Sequence, residues 1–324
     1  MRDDRISPLL IFLMVLSTAA LAVSYFFLPE EPGGGERMIS TTWLSAFLAV
    51  FCFAAASVSM GLLNYRSFLF TSDTRLLYLP FLIWSLSVPG SMAFSVYHIA
   101  MILTIWSMFL VLTYVNSEKI RHECAFGAVL LAGTASLMVP PLMFMEIFIV
   151  LYFLYVRSHD TIRLLLSCLG GAALPWLYVF AGWYIFPGLL QIDGFLQNFR
   201  DGAAVTRLAP EVLRPEDMVW TGFAFLLIVR SLIFTLMHRR GKNKAQKNAF
   251  GLSGALSVLS MLIVAFCGRL EAPLYTMVAA VPVSFLVFDL LTNGRKAETS
   301  LWIVLLIVLA TAQRVLDFFP DIRF

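Results

Sequence analysis

Seven side chains in this sequence lie inside or at the ends of apolar runs, where ionisable groups are rare: His98, Glu146, Arg230, Arg269, Glu271, Asp289 and Arg314. A charge at the centre of a bilayer costs roughly 2.5–3.5 kcal/mol on insertion scales, so such residues pair with one another or serve a function. They sort into two groups by depth. Arg230 and Asp289 share one level and read as a structural ion pair between two helices. His98, Glu146, Arg269, Glu271 and Arg314 share the opposite level and come from separate segments. Two acids, a histidine and two arginines at one depth have the chemistry of an acid/base group beside an anion-binding surface. A plainer reading gives some of them only the task of reaching the membrane surface.

Glu146 carries the strongest signal. It stands in LMVPPLMFMEIF, residues 137–148, inside a run over 125–156 that holds no other charge. Pro140 and Pro141 have no N–H to donate, so an unbroken helix cannot pass through them. The flanking stretches NSEKIRHEC and RSHDTIR are both basic. The run therefore leaves and returns on one side, as two short spans or as a re-entrant hairpin. Irregular backbone at that depth is tolerated only against protein or a water-filled cavity. The spacing thus predicts a polar, outward-opening cavity at Glu146, with Arg269 or Arg314 within reach. A second stretch, CLGGAALPWLY at 168–178, sets Gly-Gly before a proline within one run and predicts a kink or a close helix contact.

Other chemistries fail on pattern. HECAF at 122–126 begins like HExxH, but Phe126 stands where the second metal-binding histidine belongs. No P-loop, GxSxG or DxDxDG occurs. Cys52, Cys124, Cys168 and Cys267 lie far apart with no CxxC pair, and read as small buried hydrophobes. No metal and no cofactor is expected. The net charge of +3 is scattered in short clusters between apolar runs, which is no footprint for nucleic acid.

The elements that must position these residues follow from composition. Of 324 residues, 60% are hydrophobic and 13% charged, against roughly 25% charged in a soluble domain. Eleven apolar segments can be read, at 9–28, 43–63, 76–88, 95–115, 125–139, 142–156, 164–186, 218–237, 251–267, 274–292 and 300–316. Three of them are short or re-entrant, because 13 to 15 helical residues reach only about 20–22 Å against a hydrocarbon core of about 30 Å. The first runs straight through an Ala20-Leu21-Ala22 site, as a retained span does. Fifteen of the 23 Lys and Arg fall in loops on the N-terminal side and six on the other. The expected architecture is therefore an all-α polytopic transmembrane helix bundle, a single integral membrane domain over 1–324. Its N-terminus is cytoplasmic and its C-terminus extracytoplasmic. Residues 187–217 form an extracytoplasmic loop with an interfacial helix, suggested by LLQIDGFLQNFR, whose apolar residues share one side. Residues 238–250 form a basic cytoplasmic loop.

VPPLMF, LPWLYVFAGWYIFPG and GRLEAPLYTMVAAVPVSF together resemble an uncharacterised family of polytopic inner-membrane proteins from Bacteroidota. More distantly, a charged residue entering a helix with the pattern Y…P near the C-terminus is similar to GT-C type glycosyltransferases and O-antigen polymerases. The first outer loop holds Glu30, Glu31 and Glu36 but no aspartate to match the acidic motif of those enzymes. The resemblance implies a multi-pass protein of the bacterial inner membrane, in cell-envelope biogenesis. It would handle a polyprenyl-phosphate-linked glycan, by glycosyl transfer or polymerisation, in an outward-facing cavity. It further implies Arg269 and Arg314 as phosphate-binding groups with His98 as a third substrate contact, and Glu146 or Glu271 as the acid/base group. Two other classes stand beside this one. A non-catalytic subunit or scaffold with a membrane-protein partner would have its charges paired off internally. A transporter or flippase would show internal repeats and a path inward to Arg230 and Asp289.

Overall fold

Apolar runs broken by proline, glycine and short charged clusters fold here as helices, and no strand forms among the described residues. The structure is a computed structural model that describes residues 8–27, 42–67, 75–88, 90–117, 121–156, 161–186, 192–204, 215–266 and 272–318. The helices are α1 (Pro8–Phe27), α2 (Thr42–Ser67), α3 (Arg75–Ser87), α4 (Val96–Asn116), α5 (His122–Met138) and α6 (Met143–Val156). They continue with α7 (Thr161–Ile185), α8 (Ile192–Ala203), α9 (Pro215–Met237), α10 (Lys244–Phe266), α11 (Ala272–Asn293) and α12 (Lys296–Phe318). Seven of these twelve, namely α1, α2, α4, α7, α10, α11 and α12, are long and apolar enough to cross a membrane.

One helix is the axis of the bundle. The span Leu274–Asn293 of α11 is 94% buried within the protein, packed by α3, α4, α9 and α10. Further out, α1 and α2 pack on α3 and α4, α12 lies between α1 and α3, and α5 carries α6 and α7 away from α4. The outermost helices leave Phe12, Trp43, Phe47, Leu177 and Tyr184 exposed, the surface a lipid-embedded bundle turns to acyl chains. Hydroxyls inside the bundle bond back to their own helix, as Thr104 does to Ala100 O, Ser257 to Ser253 O and Ser284 to Ala280 O, at 2.7–2.8 Å.

The run over 125–156 breaks where its prolines stand. Val139 is extended at φ −129° and ψ 90°, as a residue before proline must be. A single 3-10 turn, Pro140–Leu142, then leads into α6. At 17 and 14 residues, α5 and α6 are about 26 and 21 Å long, both short of a hydrocarbon core. They pack on each other as the two arms of a hairpin.

Two loop expectations need adjustment. The amphipathic stretch at 192–203 is a helix, but its aromatic side docks on protein. Phe195 and Phe199 meet the Trp176 ring edge-on at 6.3 and 4.8 Å, and Gly202 lies against Pro140. The basic stretch over 238–250 is loop only as far as Asn243. Asn243 Oδ1 accepts from the Gln246 N–H at 2.8 Å while Gln246 Oε1 accepts from the Asn243 N–H at 3.3 Å. This reciprocal cap starts α10 at Lys244 and was overlooked in NKAQ. The rest of the predicted outer loop, at 187–191 and 205–214, lies outside the described residues.

The Gly-Gly of α7 is a contact site. A Cβ on Gly171 would lie 2.6 Å from Phe126 O, a backbone atom of α5 that cannot swing aside. Gly171→Ala is therefore expected to lower stability by roughly 1–3 kcal/mol, the usual cost of overpacking. Gly222→Ala, with nothing within 4 Å of its new methyl, serves as the control. Thermal unfolding in detergent checks the pair, and equal midpoints would refute the contact.

Candidate functional site

At the end of the bundle where α1, α3 and α12 finish and α4 begins, two of the predicted residues join one polar network. The Tyr25 hydroxyl of α1 sits 2.7 Å from Val88 O and 2.9 Å from Ser91 Oγ. Its single hydrogen goes to the carbonyl, so Ser91 donates to the phenol oxygen. Above the Tyr25 ring, at 3.5 Å from its centroid, lies the Arg314 guanidinium, and Arg314 Nε–H donates to Ser24 Oγ at 3.1 Å. The Ser91 carbonyl in turn lies 2.7 Å from His98 Nε2. A carbonyl only accepts, so Nε2 carries the proton. Nδ1 is then free to accept the Ser95 N–H at 3.3 Å. One neutral tautomer satisfies the whole arrangement.

Both residues are held within the protein. His98 is fully buried, ringed by Phe53 and Phe94 and engaged at both nitrogens. It ties the start of α4 to the preceding turn, where Gly90 takes φ 77°. Arg314 is 4% exposed and makes a cation–π stack, which holds α12 to α1. His98 and Arg314 share one network through Ser91 and Tyr25.

Glu146 belongs elsewhere. In the first turn of α6 it faces α5 and α7, with Ser136 Oγ 3.1 Å from its Oε2. It touches the α-carbon side of Gly133, where an added Cβ would stand 3.2 Å from Oε1 and 3.4 Å from Pro175 Cγ. Glu146 and Arg314 form no ion pair, and no Lys, Arg or His among the described residues lies within ion-pair distance of Glu146. The reason is the bundle's layout: α12 packs on α1, α3 and α9, whereas α6 packs on α5, α7, α10 and α4. Residues at one depth need not share one side. Arg269 and Glu271 lie outside the described residues. Deeper between α4, α5, α6 and α10 is a void of about 10 Å³ of water-accessible space, lined by Thr104, Ser107, Leu142, Met145 and Ile149 among others. Its exposed surface is apolar, which corresponds to a dry packing defect.

Among the described residues, the opposite end of the bundle holds two ion pairs in place of the one expected. Asp289 of α11 is fully buried and pairs with Lys242, which follows the 3-10 turn Arg239–Gly241 and lies 4.2 Å over the Phe250 ring. Asp289 also accepts from Thr235 Oγ1 at 2.8 Å and Asn293 Nδ2 at 3.1 Å. Burial holds the Lys242 ammonium below its ordinary range, with Asp289 pulling in the other direction. Arg230 pairs instead with Glu298 of α12 at 2.5 Å. The predicted Arg230–Asp289 pair fails on helix phase. Five residues separate Arg230 from Thr235, roughly 140° around a helix of 3.6 residues per turn. With Thr235 turned to Asp289, Arg230 faces α12. Lys242 was hidden in the basic loop and Glu298 in RKAETS, both outside the apolar runs.

Comparison with protein-family models, curated proteins and solved structures yields no match for this chain. Its chemistry must be read from its own geometry, which defines an all-helical protein with helices fit to cross a membrane.

Removing one partner of a buried pair leaves the other charge uncompensated, a loss of about 3–5 kcal/mol. Lys242→Met is therefore expected to reduce folded yield and thermal stability sharply. Lys242→Met combined with Asp289→Leu recovers most of both. Arg230→Met, against the half-buried Arg230–Glu298 pair, costs at most about 1 kcal/mol. A double variant no better than Lys242→Met alone would refute the pairing.

Proposed function

We propose that this chain is a non-catalytic subunit of a bacterial inner-membrane assembly. Its N-terminus is cytoplasmic, its C-terminus is outside, and its roughly eleven apolar segments hold a scaffold for a membrane-protein partner. The single observation behind this reading is the commitment of the candidate residues to their own chain. Arg230 is held by Glu298, Asp289 by Lys242, Arg314 by Ser24 and Tyr25, and His98 by Ser91 and Ser95. A transporter or flippase would use such groups along a path, and here each serves instead to join one element to the next.

A second reading, handling of a lipid-linked glycan on the outer side, draws on Glu146 alone. It is the one candidate acid with no cation beside it among the described residues, it sits at the proline turn, and α8 lies against that turn through Gly202 and Pro140. The resemblance to GT-C type enzymes would give it the acid/base role.

One complementation experiment separates the two. In a strain lacking the gene, the subunit reading expects Glu146→Gln to restore function in proportion to the folded protein present. The glycan reading expects function to fall by roughly a hundredfold or more at undiminished folded protein, the usual contribution of an acid/base group. The second result would overturn the subunit assignment.

A further inference from the structure

Hydrogen counting at the α5–α6 hairpin gives Glu146 a role independent of either reading. Ser136 Oγ lies 2.8 Å from Gly133 O and 3.1 Å from Glu146 Oε2. A serine hydroxyl has one hydrogen to donate, and a peptide carbonyl has none. The shorter contact, to the carbonyl, takes the serine hydrogen. Nothing then remains for Ser136 to give to a carboxylate, and two oxygen lone pairs facing each other at 3.1 Å repel. The contact is a hydrogen bond if the carboxyl supplies the hydrogen. We propose that Glu146 is a proton-binding site: a neutral carboxylic acid that donates to Ser136 and latches the two arms of the Pro140-Pro141 hairpin together.

The surroundings agree with the proton count. Ser136 lies 3.1 Å from Glu146, and a Cβ added at Gly133 would meet both the Glu146 carboxyl and the Pro175 ring. Ionisable groups also stand on the neighbouring elements. On α5, His122, Glu123 and Cys124 stand at the far end from Ser136, and on α7 Arg163 and Cys168 precede Pro175 by a turn or more, with Tyr178 71% exposed. On α10, Lys244 and Lys247 open the helix, and His98 of α4 is engaged at both nitrogens. Tyr152 and Tyr155 lie further along α6 itself, and Asp193, Arg200 and Asp201 belong to α8. None makes an ion pair with Glu146. An anion is favoured at a helix N-terminus, but a charge among apolar groups needs a cation or water, and no cation lies within ion-pair distance of Glu146 among the described residues. On losing its proton, Glu146 can no longer donate to Ser136 and gains a charge with no cation beside it among the described residues.

The direction of the hydrogen bond gives an unusual test. Infrared spectra of the full chain in lipid nanodiscs are recorded against pH for the wild type, Glu146→Gln and Ser136→Ala. The proposal expects a protonated-carboxyl C=O band at neutral pH that is missing from Glu146→Gln. If Ser136 accepts from the acid, deleting its oxygen destabilises the protonated form, and the band disappears at lower pH than in the wild type. A hydrogen bond of ordinary net strength makes that shift roughly one pH unit. If Ser136 instead donates to a carboxylate, Ser136→Ala moves the loss of the band to higher pH. That result, or a wild type without a Glu146-dependent band at neutral pH, overturns the proposal. Should Glu146→Gln fail to fold, the direction of the Ser136→Ala shift decides alone.

Discussion

Inside hydrocarbon there is no water to take a hydrogen bond, so every backbone polar group must find its partner within the protein. Helices meet that demand for the backbone, and the twelve helices here are its first consequence. The remaining polar atoms shape the bundle more locally. Serine and threonine hydroxyls turn back onto the carbonyls of their own helices. Tyr25 reaches from α1 to the end of α3 and donates its hydrogen to Val88 O. His98 secures the turn before α4 in the same way. At each of these places a loop departs from helix, and a side chain supplies what the backbone has lost.

The same constraint turns charges into fasteners. Hydrophobic attraction between helices is weak in lipid, so close packing and polar contacts hold them together. Gly171 lets α7 approach the α5 backbone, and Gly254 lets the Leu232 side chain approach α10. Asp289 and Lys242 join the central helix to the loop after α9, while Arg230 and Glu298 join α9 to α12. Arg314 stacks on Tyr25 to close the ring of outer helices at the other end. Function and architecture compete for the same rare residues, and in this chain architecture claims most of them.

Glu146 stands apart because its compensation is a proton and a serine in place of a cation. It lies where the chain is least regular, between a proline turn, a glycine-lined face of α5 and a proline within α7. That conjunction makes the α5–α6 hairpin the part of the fold whose packing depends on a titratable group. Because α8 lies against the same turn through Gly202, a change in the hairpin would be felt in α8.

Much of the framework was legible in residue order. Apolar length announced helices, Pro140 and Pro141 located the break between α5 and α6, and one-sided apolar spacing located α8. These are local properties, set by covalent geometry and by side-chain periodicity along one helix. His98 and Arg314 join one network at one end of the bundle through Ser91 and Tyr25, and Arg230 and Asp289 lie toward the other. Partnership was not legible. Which residues meet depends on the rotation of each helix about its axis and on which helices are neighbours, and neither is written in any single segment. Helix phase sent Arg230 to Glu298, the turn after α9 brought Lys242 onto Asp289, and the placement of α12 beside α1 separated Arg314 from Glu146. Sequence alone determined which residues had to be compensated, because hydrocarbon tolerates no bare charge. Only the tertiary structure decided what compensates each one.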